Sequence, residues 1–266
     1  MATERVSSSS LATTTTPAAA DLPRRPELAA FVQQLVAALD ERVLAVVLYG
    51  PAARGEEAAG TGEAELNVLV VLRDLELATL AAAGPALARW LKRGLPHPRL
   101  VTPETLAAAA DVFPIELAEI TERHVLVHGR FPHAELPAID GEHLRLQCER
   151  ELREKLMRLE EAYAASGGRE RTLRQVLVAS FPTFAALFRA CLRLHTGTPV
   201  PPASIAAMES FCAHADIDPS VFVDVDRLRR GLAVEVSVPT LFARYHAAIV
   251  RAVGAVDRFV SRSNAP

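Results

Sequence analysis

Glu63 and Glu65 stand one residue apart where a polar connection gives way to Leu66, Asn67 and the apolar run Val68 to Leu72. Side chains alternate faces along a strand, so two carboxylates at this spacing point the same way and can hold one divalent cation between them. Upstream, the apolar run Val43 to Tyr49 leads into Gly50-Pro51-Ala52-Ala53-Arg54-Gly55. Glycines at 50 and 55 let the backbone of that turn come near a ligand with no Cβ in the way. Arg54 offers a guanidinium that either contacts a phosphate or closes an ion pair with Glu56, Glu57 or a helix end. A cation site beside a turn open to a ligand is what these residues could build.

The elements that must position them follow from hydrophobic periodicity. Pro26 sits at a helix start, and Leu28, Phe31, Val32, Leu35, Val36 and Leu39 form one apolar stripe ending at Asp40 and Glu41. Val43 to Tyr49 is apolar on both faces and predicts a central strand. A second strand is expected from Glu65 to Leu72, a covering helix from Leu75 to Leu91, a short strand from Arg99 to Thr102 and a helical turn from Pro103 to Ala110. Pro114 argues against a central strand over Asp111 to Leu117, leaving an edge strand or a strand-to-helix junction. His124 to His128, ending at Gly129, alternates as a closing strand, on which the two histidines are ordinary strand residues.

Beyond a Pro- and Gly-bearing linker the pattern becomes helical. Leu144, Cys148, Leu152, Leu156, Leu159 and Tyr163 line one face of a long helix that Gly167 and Gly168 stop. Its other face carries Glu149 with Arg153, Glu151 with Lys155 and Glu154 with Arg158, all i to i+4 pairs, so Arg145, Arg153, Lys155 and Arg158 belong to a solvated face before they belong to a phosphate site. Further helices are expected over 170–195, 202–215, 219–232 and 239–262, with Phe181, Phe184, Leu187, Phe188, Cys191 and Leu192 as core. The expected organisation is a disordered tail over 1–25, a small α/β domain over 26–131, a linker over 132–141 and a helical bundle over 142–262.

Composition narrows the function classes. In 266 residues, half are hydrophobic with aromatics at only 5%, a mix that favours helix. A formal charge of -3 provides no broad electrostatic footprint, so neither nucleic acid nor an acidic membrane surface is expected as a partner. Cys148, Cys191 and Cys212 lack any Cys-x-x-Cys pairing, which fits a reducing, cytoplasmic setting. The longest apolar candidate for a membrane span, Leu77 to Leu91, is interrupted by Gly84, Pro85 and Arg89. The Ser-, Thr- and Ala-rich first 25 residues contain no apolar core of a secretory signal.

Gly50 to Val71 resembles the active-site signature of the DNA polymerase beta-like nucleotidyltransferase superfamily: Gly-Ser-x-Ala-Arg-Gly, a short polar spacer, then Ser-Asp-x-Asp-Leu and an apolar strand. Gly50, Ala53, Arg54, Gly55 and Leu66 stand at matching positions. The resemblance implies an α+β fold, a small mixed-sheet nucleotidyltransferase-like domain followed by an all-α helical bundle, as in bacterial minimal nucleotidyltransferases with a helical partner. It implies Mg2+ held by Glu63 and Glu65, and a nucleoside triphosphate whose phosphates approach Gly50, Arg54 and Gly55. The implied reaction moves a nucleoside monophosphate to a small-molecule or protein hydroxyl, with a third carboxylate on a later strand activating that hydroxyl. Glu116 is the candidate for this catalytic group and Asp111 the alternative.

Departures from the signature fall on chemically important positions. Pro51 replaces Ser and supplies neither a hydroxyl nor an N–H. Gly62 replaces the second Ser. Glu63 and Glu65 replace aspartates, each adding a methylene where Mg2+ demands near-octahedral oxygens at about 2.0 to 2.1 Å. The alternative function is therefore a non-catalytic relative, a pseudoenzyme that keeps the fold to bind a nucleotide or a partner protein.

Overall fold

The computed structural model describes residues 25–55, 66–132, 136–195, 200–201 and 203–259. The tail expected at the N-terminus lies outside these residues up to position 24. In chain order the first half contains α1 (Arg25–Leu39), β1 (Val43–Tyr49), the single-turn α2 (Pro51–Arg54), β2 (Asn67–Leu72), α3 (Leu77–Leu91), β3 (Arg99–Val101), α4 (Pro103–Ala108), α5 (Pro114–Glu122) and β4 (His124–Gly129).

A strand apolar at every position must be covered on both faces, and β1 takes an inner place in the sheet order β3-β2-β1-β4. It pairs antiparallel with β2 and β4 while β2 and β3 run parallel, so the sheet is mixed. Alternation sorts its side chains. Val46 and Leu48 pack in one core with Leu28, Phe31 and Leu35 of α1 and Ala83, Ala86 and Trp90 of α3. Ala45, Val47 and Tyr49 pack in the other with Leu106 of α4 and Leu117 and Ile120 of α5. At roughly 1.5 to 3 kcal/mol per large buried side chain, these two layers fix where α1 and α5 lie more firmly than helix propensity does.

Proline decides the segment that the sequence left between two outcomes. Pro114 occupies the first turn of α5, where its missing N–H would have had no helical partner, so the junction forms and the edge strand does not. Glycine decides the closing strand. The register of β1 on β4 shifts between Val46 and Val47, and Gly129 takes φ 74° opposite Ala45.

The second half contains α6 (Gly141–Ser166), α7 (Glu170–Leu192), α8 (Ser204–Ala215), α9 (Ser220–Arg229) and α10 (Val238–Asp257). Asp140 starts α6 by accepting from the N–H groups of Glu142 and His143, and Gly167 ends it in a left-handed conformation. The three expected ion pairs form, with Arg153 on Glu149 at 2.8 Å, Lys155 on Glu151 at 3.5 Å and Arg158 on Glu154 at 2.5 Å. Arg145 is held by Glu142 and Glu149. Among the described residues α7, and not Leu77 to Leu91, is long and apolar enough by length and composition to cross a membrane. Its apolar side is instead the centre of the bundle, where Leu177, Phe181, Phe184, Phe188 and Cys191 pack with residues of α6, α8, α9 and α10. All three cysteines are free and buried.

One bundle contact makes stability depend on pH. The His195 ring lies 4.4 Å from that of His214 and 5.1 Å from that of Phe259. Burial first, and the neighbouring His214 second, hold the His195 pKa below its ordinary value. The unfolded chain then takes up a proton at this site before the folded chain does. Its contribution is full above about pH 6.5 and is lost as pH falls through the folded-state value. Thermal melts between about pH 7.5 and 5 should show a shallower acid-side decline in His195→Asn than in the native chain.

Candidate active site

β1 ends at Tyr49, whose Cα is level with Asn67 on β2 and His124 on β4. Gly50 then adopts φ 73° and ψ -152°, a backbone open in practice only to glycine. A Cβ there would lie 2.7 Å from Asn67 Nδ2, so a side chain at this position would also require the Asn67 amide to move. Pro51 opens α2, Ala52 and Ala53 are buried beneath it, and Gly55 at φ 73° closes it. The expected turn is thus one helical turn between two glycines of positive φ.

Arg54, the last residue of that turn, has Nη1 3.4 Å from Glu119 Oε1 on α5, with side-chain exposures of 8% and 14%. One turn earlier on α5, Glu116 is tied at both oxygens. Oε1 accepts from Arg99 Nη2 at 3.1 Å, and Oε2 accepts from Gln147 Nε2 on α6 at 2.9 Å. A carboxylate offers about four lone-pair sites, so Glu116, one-quarter exposed, retains acceptor capacity. The Arg99 guanidinium lies over the Phe113 ring, 5.6 Å from its centroid, and its charge acts on the Tyr49 phenol. Burial pushes the Tyr49 phenol up, Arg99 pulls it partly back, and the charges of Glu116 and Glu119 add to the rise. Tyr49, Arg54, Arg99, Glu116 and Glu119 therefore form one electrostatic cluster at the end of β1, which Gln147 closes from the helical half.

The resemblance implies a third carboxylate on a later strand, yet neither β3 nor β4 carries one. Helix α5 supplies both Glu116 and Glu119. Asp111 is exposed ahead of that helix. Glu63 and Glu65 lie outside the described residues, as do Glu56 and Glu57. Among the described residues no group of three or more His, Cys, Asp or Glu side chains could hold a metal ion.

Glu119, Arg99, Tyr49 and Gln147 were not singled out from sequence. For Glu119 a signal existed, because Pro114 taken as a helix start puts residues 116 and 119 on one face. Tyr49 shares the parity of Ala45 and Val47 and so had to face α5. Arg99 and Gln147 meet Glu116 across 17 and 31 positions, and no local pattern announces either contact.

No protein-family model matches the sequence, and no curated protein matches it. Comparison of folds does find a counterpart. The crystal structure of spectinomycin adenyltransferase AAD(9) from Enterococcus faecialis with ATP and spectinomycin superposes with a TM-score of 0.53 over 88% of this chain and 99% of that chain, at 11% sequence identity. At that identity the likeness is one of fold. It extends over the sheet region and the helices that follow. The chain shares the α+β fold of that adenyltransferase, a mixed four-stranded sheet with helices followed by an all-helical region.

Proposed function

We propose that this chain transfers a nucleoside monophosphate from a nucleoside triphosphate to a hydroxyl of a small molecule. The observation that carries the reading is the cluster at the end of β1, where a glycine-bracketed turn faces the carboxylates of α5 in a nucleotidyltransferase fold. The fold counterpart holds ATP and spectinomycin, which supports ATP as the donor and a small molecule, over a protein hydroxyl, as the acceptor.

In this mechanism the triphosphate lies along Gly50 to Gly55, where the missing Cβ atoms permit close approach and Arg54 meets phosphate charge. The acceptor hydroxyl sits at Glu116, on the acceptor capacity that Arg99 and Gln147 leave. Its oxygen bonds to the α-phosphorus, the bond from that phosphorus to the bridging oxygen breaks, and pyrophosphate leaves. Glu116 takes the hydroxyl proton. Glu63 and Glu65 would hold Mg2+, which when bound neutralises charge on the phosphates. A cytoplasmic location, with its supply of nucleoside triphosphates, belongs to the same proposal.

Pro51 favours the second reading, a fold retained for binding alone, because the first residue of α2 offers no N–H to a phosphate. Calorimetric titration with a non-hydrolysable ATP analogue, with and without Mg2+, separates the two. Binding that needs Mg2+ and weakens at least about tenfold in the Glu63→Ala, Glu65→Ala double variant is expected. Binding indifferent to both metal and mutation overturns the catalytic reading in favour of nucleotide binding alone. No binding at all leaves a partner protein as the ligand.

A further inference from the structure

Helix α5 begins without a cap of its own. Phe113 at the N-cap offers no side-chain acceptor, and Pro114 has no N–H to satisfy. The next donor, the Ile115 N–H, is met from another helix, donating to Gln147 Oε1 on α6 at 2.8 Å. The nitrogen of the same amide donates to Glu116 Oε2 at 2.9 Å. Gln147 is 7% exposed, and both ends of its amide are used. In a capping box one residue accepts from the helix start while a Glu of the first turn bonds back. Here the cap and the partner of that Glu come from a single side chain across the boundary between the sheet region and the helices.

We propose that Gln147 is the positioning residue of this site, capping α5 from the helical region and thereby fixing the carboxylate of Glu116. The proposal rests on the reading of Glu116 as the group that meets the acceptor. Arg99 is about half exposed and grips one oxygen, which leaves the carboxylate free to swing about that contact. Gln147 supplies the second point and sets the plane. Through the helix start it also sets where Glu119, one turn on, lies against Arg54. An amide is the side chain required, because one end must accept from an N–H while the other donates to a carboxylate. The two partners also settle which way the amide points.

Hydrogen exchange at the Ile115 amide measures the cap without any assay of activity. In Gln147→Leu this amide should exchange about tenfold faster while amides of α1 and α3 keep native rates. Gln147→Glu keeps an acceptor for Ile115 but sets a second carboxylate against Glu116. Pyrophosphate release from ATP should then fall about a hundredfold in kcat with KM for ATP held. The pH at which kcat rises should move upward, because two adjacent carboxylates retain a shared proton. The reversed pair, Glu116→Gln with Gln147→Glu, exchanges donor and acceptor. It should hold Ile115 protection at the native level and restore the melting temperature but not turnover, since the carboxylate now sits on α6. Unchanged Ile115 exchange in Gln147→Leu, or lost protection in the reversed pair, overturns the proposal. A native chain that releases no pyrophosphate overturns the transfer reading instead, while exchange in these variants still decides the role of Gln147.

Discussion

Gly129→Ala should destabilise the protein by about 3 kcal/mol or more, from two causes that add. The first is the backbone. At φ 74° a residue with a Cβ is strained by about 1 to 3 kcal/mol. The second is the neighbour. A Cβ on Gly129 would lie 2.0 Å from the Leu44 carbonyl oxygen and 2.8 Å from its carbon, so backbone and not a flexible side chain must give way. That carbonyl accepts from the Arg130 N–H at 2.9 Å, and Ala45 beside it is paired to β4. Moving Leu44 therefore strains the inner strand that ends in the Gly50 turn. Gly94→Ala is the control, since Gly94 has φ 72° with nothing within 4 Å of an added Cβ. It should cost only the strain, about 1 kcal/mol. Urea midpoints of the two variants check the difference, and equal losses would assign the whole effect to φ.

What the sequence disclosed follows the range of the interactions involved. β1 was legible to the residue, because a strand buried on both faces is a continuous apolar run bounded by a charged turn and a glycine. The solvated face of α6 was legible because its pairs are four residues apart. α5 was half legible, since one proline supports either a helix start or a broken strand and only packing against Tyr49 and Leu106 settles it. The apolar length of α7 was missed beside the more obvious Leu77 to Leu91. At the candidate site the glycine turn and Arg54 could be found from spacing, whereas their setting could not. Arg54 meets Glu119 across 65 positions, and Glu116 takes its two partners from a strand and from a helix of the other half. Local pattern locates groups that can do chemistry, and tertiary contacts decide which of them share a cluster.

Removing Glu122 should cost more than removing its partner Arg193, although both substitutions break the same pair. Arg193 Nε and Nη2 each donate to a separate oxygen of Glu122 at 2.7 Å, a two-bond contact between the end of α7 and the end of α5. The environments are unequal: the Arg193 side chain is 7% exposed and that of Glu122 44%. Arg193 Nη1 is moreover buried with no hydrogen-bond partner. In Glu122→Ala a guanidinium that cannot shed its proton is left enclosed without its counter-charge, a loss of about 3 kcal/mol. In Arg193→Leu the carboxylate left behind is solvated by water it already meets, so the loss should be about 1 kcal/mol or less. The double variant should match Arg193→Leu, because the penalty in Glu122→Ala is the stranded charge and not the lost contact. Denaturant midpoints of the three variants read this order directly. Gln147 holds the start of α5 and Arg193 its end, so the helix bearing Glu116 and Glu119 is fastened to the helical region at both termini. Loosening either end should therefore disturb the Arg54–Glu119 contact before it disturbs the sheet, whose own cores do not include these side chains.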